Sequence, residues 1–265
     1  MKKKDLADVA NQTDRRNIPI DKVGIKNVRY PIAVLDRADG IQHTVGIFNM
    51  YVNLPHHFKG THMSRFIEVL NEYRREISVE KFFDFLNDIR RRLRAESAHL
   101  EVEFPYFILK HAPVSRAPGV MEYRCRISGS LNKKEEDMKI EVWIPVTTLC
   151  PCSKEIADFG AHNQRAEICI GFRAARMIWI EEIIEIAEQC ASSGVFSILK
   201  REDEKHVTEQ AYLRPVFVED VVRNVAERLK AMAGIFWFSV EVENFESIHN
   251  HSAYAFIERD KRAKK

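Results

Sequence analysis

The chain has 265 residues, which is enough for one large domain or two ordinary ones with a sizeable core. Its composition, 45% hydrophobic and 30% charged, is typical of a globular protein, and its formal charge of +2 argues against a nucleic-acid-binding domain. No apolar run reaches the length of a membrane span, and no apolar segment follows the basic N-terminus. We expect a cytoplasmic protein with reduced cysteines and with neither a membrane nor a nucleic-acid partner.

The first half of the chain predicts a ββααββ module. Residues 1–20 are polar and aperiodic, which predicts a mobile N-terminal arm. Apolar alternation then predicts four strands, at residues 23–35, 45–54, 100–109 and 120–128. Helical periodicity predicts two helices, at residues 64–75 and 79–96. An arginine run at residues 90–94 falls on the polar side of the second helix, which indicates a solvated helix face.

The second half repeats this order after a polar turn at residues 132–137. The predicted strands cover residues 138–149, 167–172, 236–242 and 252–257. The predicted helices cover residues 178–190 and 218–232. The highly charged segment 200–211 between these helices is predicted to be a solvated connection. The predicted domains are therefore residues 21–132 and 133–260, followed by a basic tail at 261–265.

This pattern predicts an α+β protein in which each module is a four-stranded antiparallel sheet with two helices on one face. Such a sheet has two edges that a protein must cover, pair or blunt. Joining sheets edge to edge across modules and subunits is one solution, and it predicts a homo-oligomer.

A strand leading into two thiols and an imidazole is the most informative feature of the sequence. Cys150 and Cys152 follow the apolar strand 140–146, and His162 comes shortly after them. The residues around them favour a loop, namely Pro151, Ser153 and Gly160. A Cys and a His on one loop can begin a metal site, although a packed thiol and a backbone-bonded His are the alternative. Cys152 could be a ligand, a neighbour of a ligand or a packed side chain.

Two ligands do not complete a metal site, so a third is expected from elsewhere. Glu202 and Glu204 in the charged segment 200–211 are candidates, and the sequence does not choose between them. The absence of a second Cys pair favours a catalytic site with an open position over a structural one. Glu219, at the start of a predicted helix, is explained by the helix dipole alone or by acceptance of two N–H bonds from a guanine edge.

Two further groups have both functional and structural explanations. His249 and His251 lie in the turn before the last strand, where they could relay protons or simply make the turn polar. His62 and Arg65 lie at the start of a predicted helix that Ser64 can cap, where they could bind phosphate.

Together these segments resemble the prokaryotic type IB GTP cyclohydrolases over nearly the whole chain. The resemblance is carried by five stretches, namely Gly60-Thr-His-Met-Ser-Arg65, Val146-Thr-Thr-Leu-Cys-Pro-Cys-Ser-Lys-Glu155, Ala161-His-Asn-Gln-Arg165, Asp203-Glu-Lys205 with Val207-Thr-Glu-Gln-Ala211, and Ile248-His-Asn-His251. The resemblance implies the tunnelling fold, with two modules per chain and a homotetramer. It implies opening of the guanine imidazole ring of GTP at C8, loss of formate and formation of 7,8-dihydroneopterin triphosphate, the first step of tetrahydrofolate biosynthesis.

The resemblance also implies residue roles. One divalent metal per subunit would be held by Cys150, His162 and Glu204, with Zn²⁺ favoured and Mn²⁺ or Fe²⁺ possible. Glu219 would anchor the base. His249 and His251 would transfer protons alongside the metal-bound Cys150. The expected triphosphate contacts are His62, Arg65, Lys154 and Lys205.

Two features depart from the family pattern, and two other functions are considered. His206 stands where an aromatic residue is expected, and the turn 192–196 is atypical. A nitrile reductase of the same fold, which uses a Cys nucleophile and NADPH for queuosine biosynthesis, is one alternative. A non-catalytic purine-binding oligomer is the other. Metal content and NADPH consumption separate the three.

Overall fold

The computed structural model describes residues 10, 12–73 and 81–262. These residues form nine strands and six helices, an α+β arrangement. In chain order the elements are β1 (Ile20–Asp36), β2 (Gly40–Leu54), α1 (Ser64–Tyr73), α2 (Phe82–Arg92), β3 (Ala98–His111), β4 (Pro118–Leu131), β5 (Glu136–Leu149), α3 (Pro151–Ile156), β6 (Asn163–Ala174), α4 (Ile180–Cys190), β7 (Ser193–Gly194), α5 (Arg201–Leu213), α6 (Val218–Ala231), β8 (Ile235–Asn244) and β9 (Ala253–Asp260).

The strands are hydrogen-bonded in the order β1-β2-β3-β4-β5-β6-β8-β9, and β7 adds to β5. The pairs β1–β2, β2–β3, β5–β6, β6–β8 and β8–β9 are antiparallel. At the centre of the second half, Val142 lies opposite Ile170 and Ile170 lies opposite Val240. Burial alternates along these strands, which is typical of a sheet whose one face is covered by helices. The order of the main strands and helices therefore matches the two ββααββ modules predicted from the sequence.

The described residues group into two compact units. The first unit comprises Met1–Phe104 and Arg126–Met138, and the second comprises Pro105–Cys125 and Lys139–Lys265. The boundary predicted at residues 132 and 133 lies in the β4–β5 turn, where Asn132 N donates to Glu135 O at 3.0 Å. The compact units divide within β3, β4 and β5, since each of these strands has residues in both units.

In the first unit, α1 and α2 pack against each other through apolar faces. Phe66 and Leu70 of α1 and Phe85 and Ile89 of α2 are buried. The arginines of α2 lie on the opposite side, where Arg91 pairs with Asp88 at 2.6 Å and Arg92 pairs with Glu72 of α1 at 2.6 Å. The prediction of a solvated basic helix face is confirmed.

In the second unit, α6 packs on β8 and β9 and also contacts α4. Its buried side chains recur at helical spacing, namely Val218, Val221, Val222, Val225, Ala226 and Leu229. This spacing places one apolar stripe against the sheet.

Burial raises the pKa of the Cys169 thiol in β6 to about 12. Nearby carboxylates act in the same direction, so this cysteine stays neutral.

Three elements were not predicted. Residues 201–213 form α5 instead of a solvated connection, because Asp203 satisfies the start of the helix. Pro151–Ile156 forms the short α3 instead of a loop, since Pro suits the first turn of a helix and Cys150 caps it. The atypical turn at 192–196 contains β7, whose Ser193 and Gly194 pair with Thr147 and Val146 of β5.

Described residues of the predicted N-terminal arm and of the basic tail are hydrogen-bonded to the rest of the chain. Residues 10, 12 and 14 exchange backbone hydrogen bonds with residues 57–60, so this part of the predicted mobile arm is attached, and β1 begins at Ile20. In the basic tail, Lys261 Nζ donates to Met232 O at 2.8 Å at the end of α6. Residues 1–9, 11 and 263–265 lie outside the described part of the chain.

A mostly buried ion pair ties α4 to the β3–β4 hairpin. Lys110 Nζ donates to Glu188 Oε1 at 2.6 Å and to Val195 O at 2.8 Å. The Tyr123 hydroxyl donates to the same Glu188 oxygen at 2.9 Å, and burial together with this carboxylate raises the pKa of Tyr123. Glu188 therefore satisfies two donors whose other surroundings are largely apolar.

We predict that Glu188→Gln destabilises the protein by about 2 kcal/mol, because the Lys110 charge loses its counter-charge in a poorly solvated position. Urea unfolding at fixed protein concentration measures this effect. Glu227→Gln makes the same chemical change on the exposed side of α6 and should shift stability by less than about 0.5 kcal/mol. Equal stability of the two variants would contradict a role for the ion pair.

Candidate active site

The ends of two neighbouring strands bring Cys150 and His162 together. Leu149, the last residue of β5, pairs with Asn163, the first residue of β6. Cys150 N donates to His162 O at 3.1 Å, which continues the ladder by one step beyond the strands. The residues that carry the thiol and the imidazole are thereby fixed beside each other.

Ser153 is hydrogen-bonded to both residues, through its backbone N–H and through its hydroxyl oxygen. Its backbone N–H donates to Cys150 Sγ at 3.4 Å, which makes Cys150 the N-cap of α3. Its hydroxyl oxygen accepts from His162 N at 3.2 Å. Cys152, by contrast, is exposed on α3, so the two thiols lie in different environments.

The Nδ1 atom of His162 faces three oxygen-bearing side chains. It lies 3.0 Å from Gln164 Oε1, 3.5 Å from Ser247 Oγ and 3.9 Å from Glu246 Oε2. Glu246 reaches this position because Phe245 N donates to Arg165 O at 2.9 Å and holds the end of β8 beside β6.

Two buried acceptor oxygens at the end of β8 indicate that this region binds something further. Among the described residues, neither Asn244 Oδ1 nor Glu246 Oε2 has a hydrogen-bond partner. Buried acceptors without partners are rare in folded proteins and call for a ligand, ion or water. Sequence reasoning did not single out Glu246, although it is the first residue of the turn that contains His249 and His251.

The donors at this position fit a divalent metal by their chemistry. A thiol and an imidazole held at one end of the sheet, together with a carboxylate from a neighbouring element, form a donor set that zinc and similar ions accept. Within the described residues, however, no three His, Cys, Asp or Glu side chains already converge closely enough to hold an ion. Glu204, the predicted third ligand, is exposed on α5.

Glu204 and Lys205 lie in the first turns of α5, next to a firmly fixed residue. Asp203 is fully buried and accepts from Val114 N at 2.8 Å, Ser115 N at 2.9 Å, Ser115 Oγ at 2.5 Å and Lys200 N at 2.8 Å. Burial alone would raise the pKa of Asp203, but these hydrogen bonds to its charged form lower it overall. Lys205 lies 3.8 Å from Glu209 on the exposed side of the helix.

Lys154 and Glu219 both lie near Cys150, on adjoining elements. Lys154 Nζ donates to Tyr212 O at 2.6 Å and lies 4.3 Å from the centre of the Tyr212 ring, which ties α3 to the end of α5. Glu219 is exposed in the first turn of α6, as predicted. The chain leading into α6 is fixed to β5 because Val216 N donates to Leu149 O at 3.1 Å.

The other four predicted site residues lie in two separate parts of the chain. His249 and His251 are exposed in the β8–β9 turn with their rings stacked, 5.1 Å between centres. His62 and Arg65 line a cavity of about 20 Å³ in the first unit, and Arg65 Nη1 donates to Arg92 O at 3.2 Å. That volume is close to that of a single water molecule, so a phosphate would have to contact these side chains from outside the cavity.

No helix among the described residues combines the length and the apolar character needed to cross a membrane.

Solved structures with low sequence identity to this chain share its fold. Uricase from Arthrobacter globiformis aligns with a TM-score of 0.53 and 7% identity, covering 92% of this chain and 95% of that one. A hyperthermostable mutant of Bacillus sp. TB-90 urate oxidase aligns with a TM-score of 0.54 and 10% identity, covering 91% and 99%. The fold is the tunnelling fold, as expected from the sequence.

Sequence comparison identifies the family. GTP cyclohydrolase FolE2 from Geotalea uraniireducens (strain Rf4) is 58% identical over 259 residues, covering 98% of this chain and 95% of the relative. GTP cyclohydrolase FolE2 from Syntrophus aciditrophicus (strain SB) is 56% identical over 255 residues, covering 96% and 100%. A sequence model described as type I GTP cyclohydrolase folE2 matches residues 6–255. The chain belongs to this FolE2 family of type I GTP cyclohydrolases.

We predict that Asp203→Asn lowers the stability of the protein at neutral pH, because an amide cannot accept all four hydrogen bonds that the carboxylate accepts. Since folding lowers the pKa of Asp203, its stabilisation is complete above the ordinary Asp pKa of about 4 and decreases as the pH falls below it. The difference in urea midpoint between variant and wild type should therefore be largest near pH 7 and shrink below pH 4.

Asp158→Asn, in the exposed turn after α3, provides the matched control and should leave the pH dependence of stability unchanged. A constant difference between wild type and Asp203→Asn from pH 7 to pH 3 would contradict the prediction.

Proposed function

We propose that this protein hydrolyses GTP at C8 of the guanine ring, releases formate and forms 7,8-dihydroneopterin triphosphate, the first step of tetrahydrofolate biosynthesis. The observation that carries the proposal is the Cys150–His162 pair, joined by the 3.1 Å backbone hydrogen bond in a chain that belongs to the FolE2 family. Cytoplasmic residence, where thiols stay reduced, is part of the proposal.

One divalent metal per subunit would be held by Cys150, His162 and Glu204, with Zn²⁺ favoured and Mn²⁺ or Fe²⁺ also compatible. When bound, such an ion lowers the pKa of a coordinated water towards 7 and so provides a nucleophile at neutral pH. Glu246, whose buried Oε2 lies 3.9 Å from His162 Nδ1, would support the imidazole without entering the ligand set. Glu204 would complete a set of sulfur, nitrogen and oxygen donors.

Glu219 would select and orient the guanine base. A carboxylate can accept two parallel N–H bonds from the edge of guanine that carries N1–H and the exocyclic amine. A different base would leave the acid without these donors, which makes the interaction selective. The position of Glu219 supports this role, since α6 begins close to the end of β5 and therefore to Cys150.

His249 and His251 would donate protons to the imidazole ring nitrogen of guanine and remove them in the later rearrangement. Their side chains are exposed and stacked, so a substrate can reach both. The triphosphate would be bound by cationic side chains, namely His62, Arg65, Lys154 and Lys205. Lys154 would have to leave the Tyr212 carbonyl or contact phosphate while keeping that bond.

A homotetramer is the proposed assembly. β1 and β9 are the two ends of the sheet order, and such edges are suited to pairing with other subunits. Several large apolar side chains are exposed in the segments around the site, namely Ile156, Phe159, Leu213, Phe217, Phe245 and Ile248. Phe159 and Ile156 are 95% and 83% exposed, and burial against another subunit would remove this apolar surface from water.

We predict that the purified protein converts GTP with an added divalent metal into a product whose oxidised form has pterin fluorescence. Cys150→Ser should lower both the metal content, from about one ion per subunit, and the turnover, because it removes the thiolate ligand. Cys152→Ser is the matched control, since Cys152 is exposed two positions further on, and it should retain both.

Full activity after chelation, or in Cys150→Ser, would contradict the metal-dependent reaction. Consumption of NADPH without metal would instead identify a nitrile reductase. Binding of GTP without turnover under every metal condition would identify a purine-binding protein.

We also predict that His249→Asn and His251→Asn each lower turnover by about 10²–10⁴-fold while the GTP dissociation constant changes only a few-fold, because proton transfer acts in the transition state. Single-turnover kinetics and equilibrium GTP binding measure the two effects separately. His43→Asn, on the exposed part of β2, should change neither. Unchanged turnover in both variants of the turn would remove the proposed role.

A further inference from the structure

Two buried polar side chains, Thr148 and Gln164, follow the apolar core positions of β5 and β6 on the side nearest His162. The buried positions of β5 are Ile140, Val142, Ile144 and Val146, and those of β6 are Ala166, Ile168, Ile170 and Phe172. The next buried positions on these strands are Thr148, which is fully buried, and Gln164, which is 7% exposed. The two face each other across the ladder. A buried amide is costly unless it is hydrogen-bonded, so this change from apolar to polar has a physical reason.

The amide of Gln164 is hydrogen-bonded at both ends. Its Nε2 donates to Thr148 Oγ1 at 2.8 Å, and its Oε1 lies 3.0 Å from His162 Nδ1. In this arrangement the Thr148 hydroxyl accepts from Nε2, and the amide oxygen faces the imidazole. An acceptor oxygen is therefore directed at Nδ1, and the proton of the neutral ring is favoured on that nitrogen.

A carboxylate that faces Nδ1 favours the same tautomer, and a nearby hydroxyl is compatible with it. Ser247 Oγ lies at 3.5 Å, and the carboxylate oxygen Glu246 Oε2 lies at 3.9 Å. A negative charge at this distance stabilises an N–H dipole directed towards it. With Nδ1 protonated, the lone pair of His162 is on Nε2, which is the nitrogen left to coordinate a metal.

We propose that Gln164 is a positioning residue that holds His162 in its Nδ1–H tautomer, with Thr148 fixing the orientation of the Gln164 amide. His162 is then ready to bind a divalent cation through Nε2 without first moving a proton between its ring nitrogens. Outer hydrogen bonds of this kind orient metal-binding histidines and raise the basicity of the coordinating nitrogen. The inference rests on the proposed function only in taking His162 as a metal ligand.

The tautomer can be measured directly in the metal-free protein. Long-range proton–nitrogen correlation spectra of protein labelled with ¹⁵N-histidine show which ring nitrogen carries the proton. The His162 signals are identified by their loss in His162→Gln. We expect the Nδ1–H form in the wild type, and in Gln164→Leu a shift towards the Nε2–H form, because the acceptor is lost at nearly constant side-chain volume.

Affinity for Co²⁺ alone provides a second readout, monitored by the charge-transfer absorption between the Cys150 sulfur and the metal. Gln164→Leu should weaken Co²⁺ binding by about 10–100-fold. Gln164→Glu keeps an acceptor oxygen at the same position and should stay within a few-fold of the wild type. Thr148→Val should weaken binding less than Gln164→Leu, since it frees the amide to rotate without removing it.

The control is Gln189→Leu, which changes a glutamine on the exposed side of α4 and should alter neither readout. An Nε2–H tautomer in the wild type would overturn the proposal, as would Co²⁺ binding by Gln164→Leu as tight as that of the wild type. Equal weakening in Gln164→Glu and Gln164→Leu would also overturn it, because side-chain shape alone would then explain the effect. The tautomer is measured without GTP, so a protein with the Nδ1–H form and no GTP turnover would refute the proposed function and leave this inference standing.

Discussion

The antiparallel pairing of β5 with β6 is the interaction on which the candidate site depends. Its register places Leu149 opposite Asn163, and the backbone bond from Cys150 N to His162 O extends it to the two side chains proposed as ligands. A shift of register by one residue would turn every side chain of one strand to the other face of the sheet. The hydrophobic core under these strands therefore also determines which groups face the site.

The core changes character at the point where it meets the site. Apolar side chains alternate along the central strands and end in a group of buried polar ones, namely Thr148, Gln164 and Asn244. Ser192, also buried, adds to this group by accepting from Leu149 N at 3.0 Å. Each of these side chains would weaken an ordinary core, since polar groups lose hydration on burial. Their concentration at one end of the strands indicates that binding, more than stability, requires them there.

Periodicity predicted the main elements because the buried faces repeat along the chain. β5 and α6 were anticipated within two residues at each end, since their apolar spacing matches the strand and the helix. α5 could not be found this way, because only Asp203 and Ala211 of its side chains are buried and it has no apolar stripe. It forms because backbone donors from the β3–β4 turn and its own first turn converge on Asp203, and that is a tertiary interaction.

The sequence singles out candidate site residues on the same physical basis. Cys150 and His162 were found because a strand and a motif point to them, whereas Glu246 has no distinguishing spacing. Its significance appears only when the β6–β8 pairing brings it to 3.9 Å from His162. A carboxylate that joins a site through strand pairing cannot be distinguished in the sequence from the many surface acids of the chain.

The rigidity of α5 bears on how Glu204 would act as the proposed third ligand. Asp203 fixes the first turn of the helix, and the bond from Lys154 Nζ to Tyr212 O fixes the last. Successive residues on a helix point about 100° apart, because there are about 3.6 residues per turn. The burial of Asp203 therefore sets the direction of Glu204, and a helix held at both ends cannot rotate it. If Glu204 is the third ligand, its approach to Cys150 and His162 involves rotation of its side chain or movement of α5. The Lys154–Tyr212 contact, which holds the end of α5, would then be part of the geometry of the site.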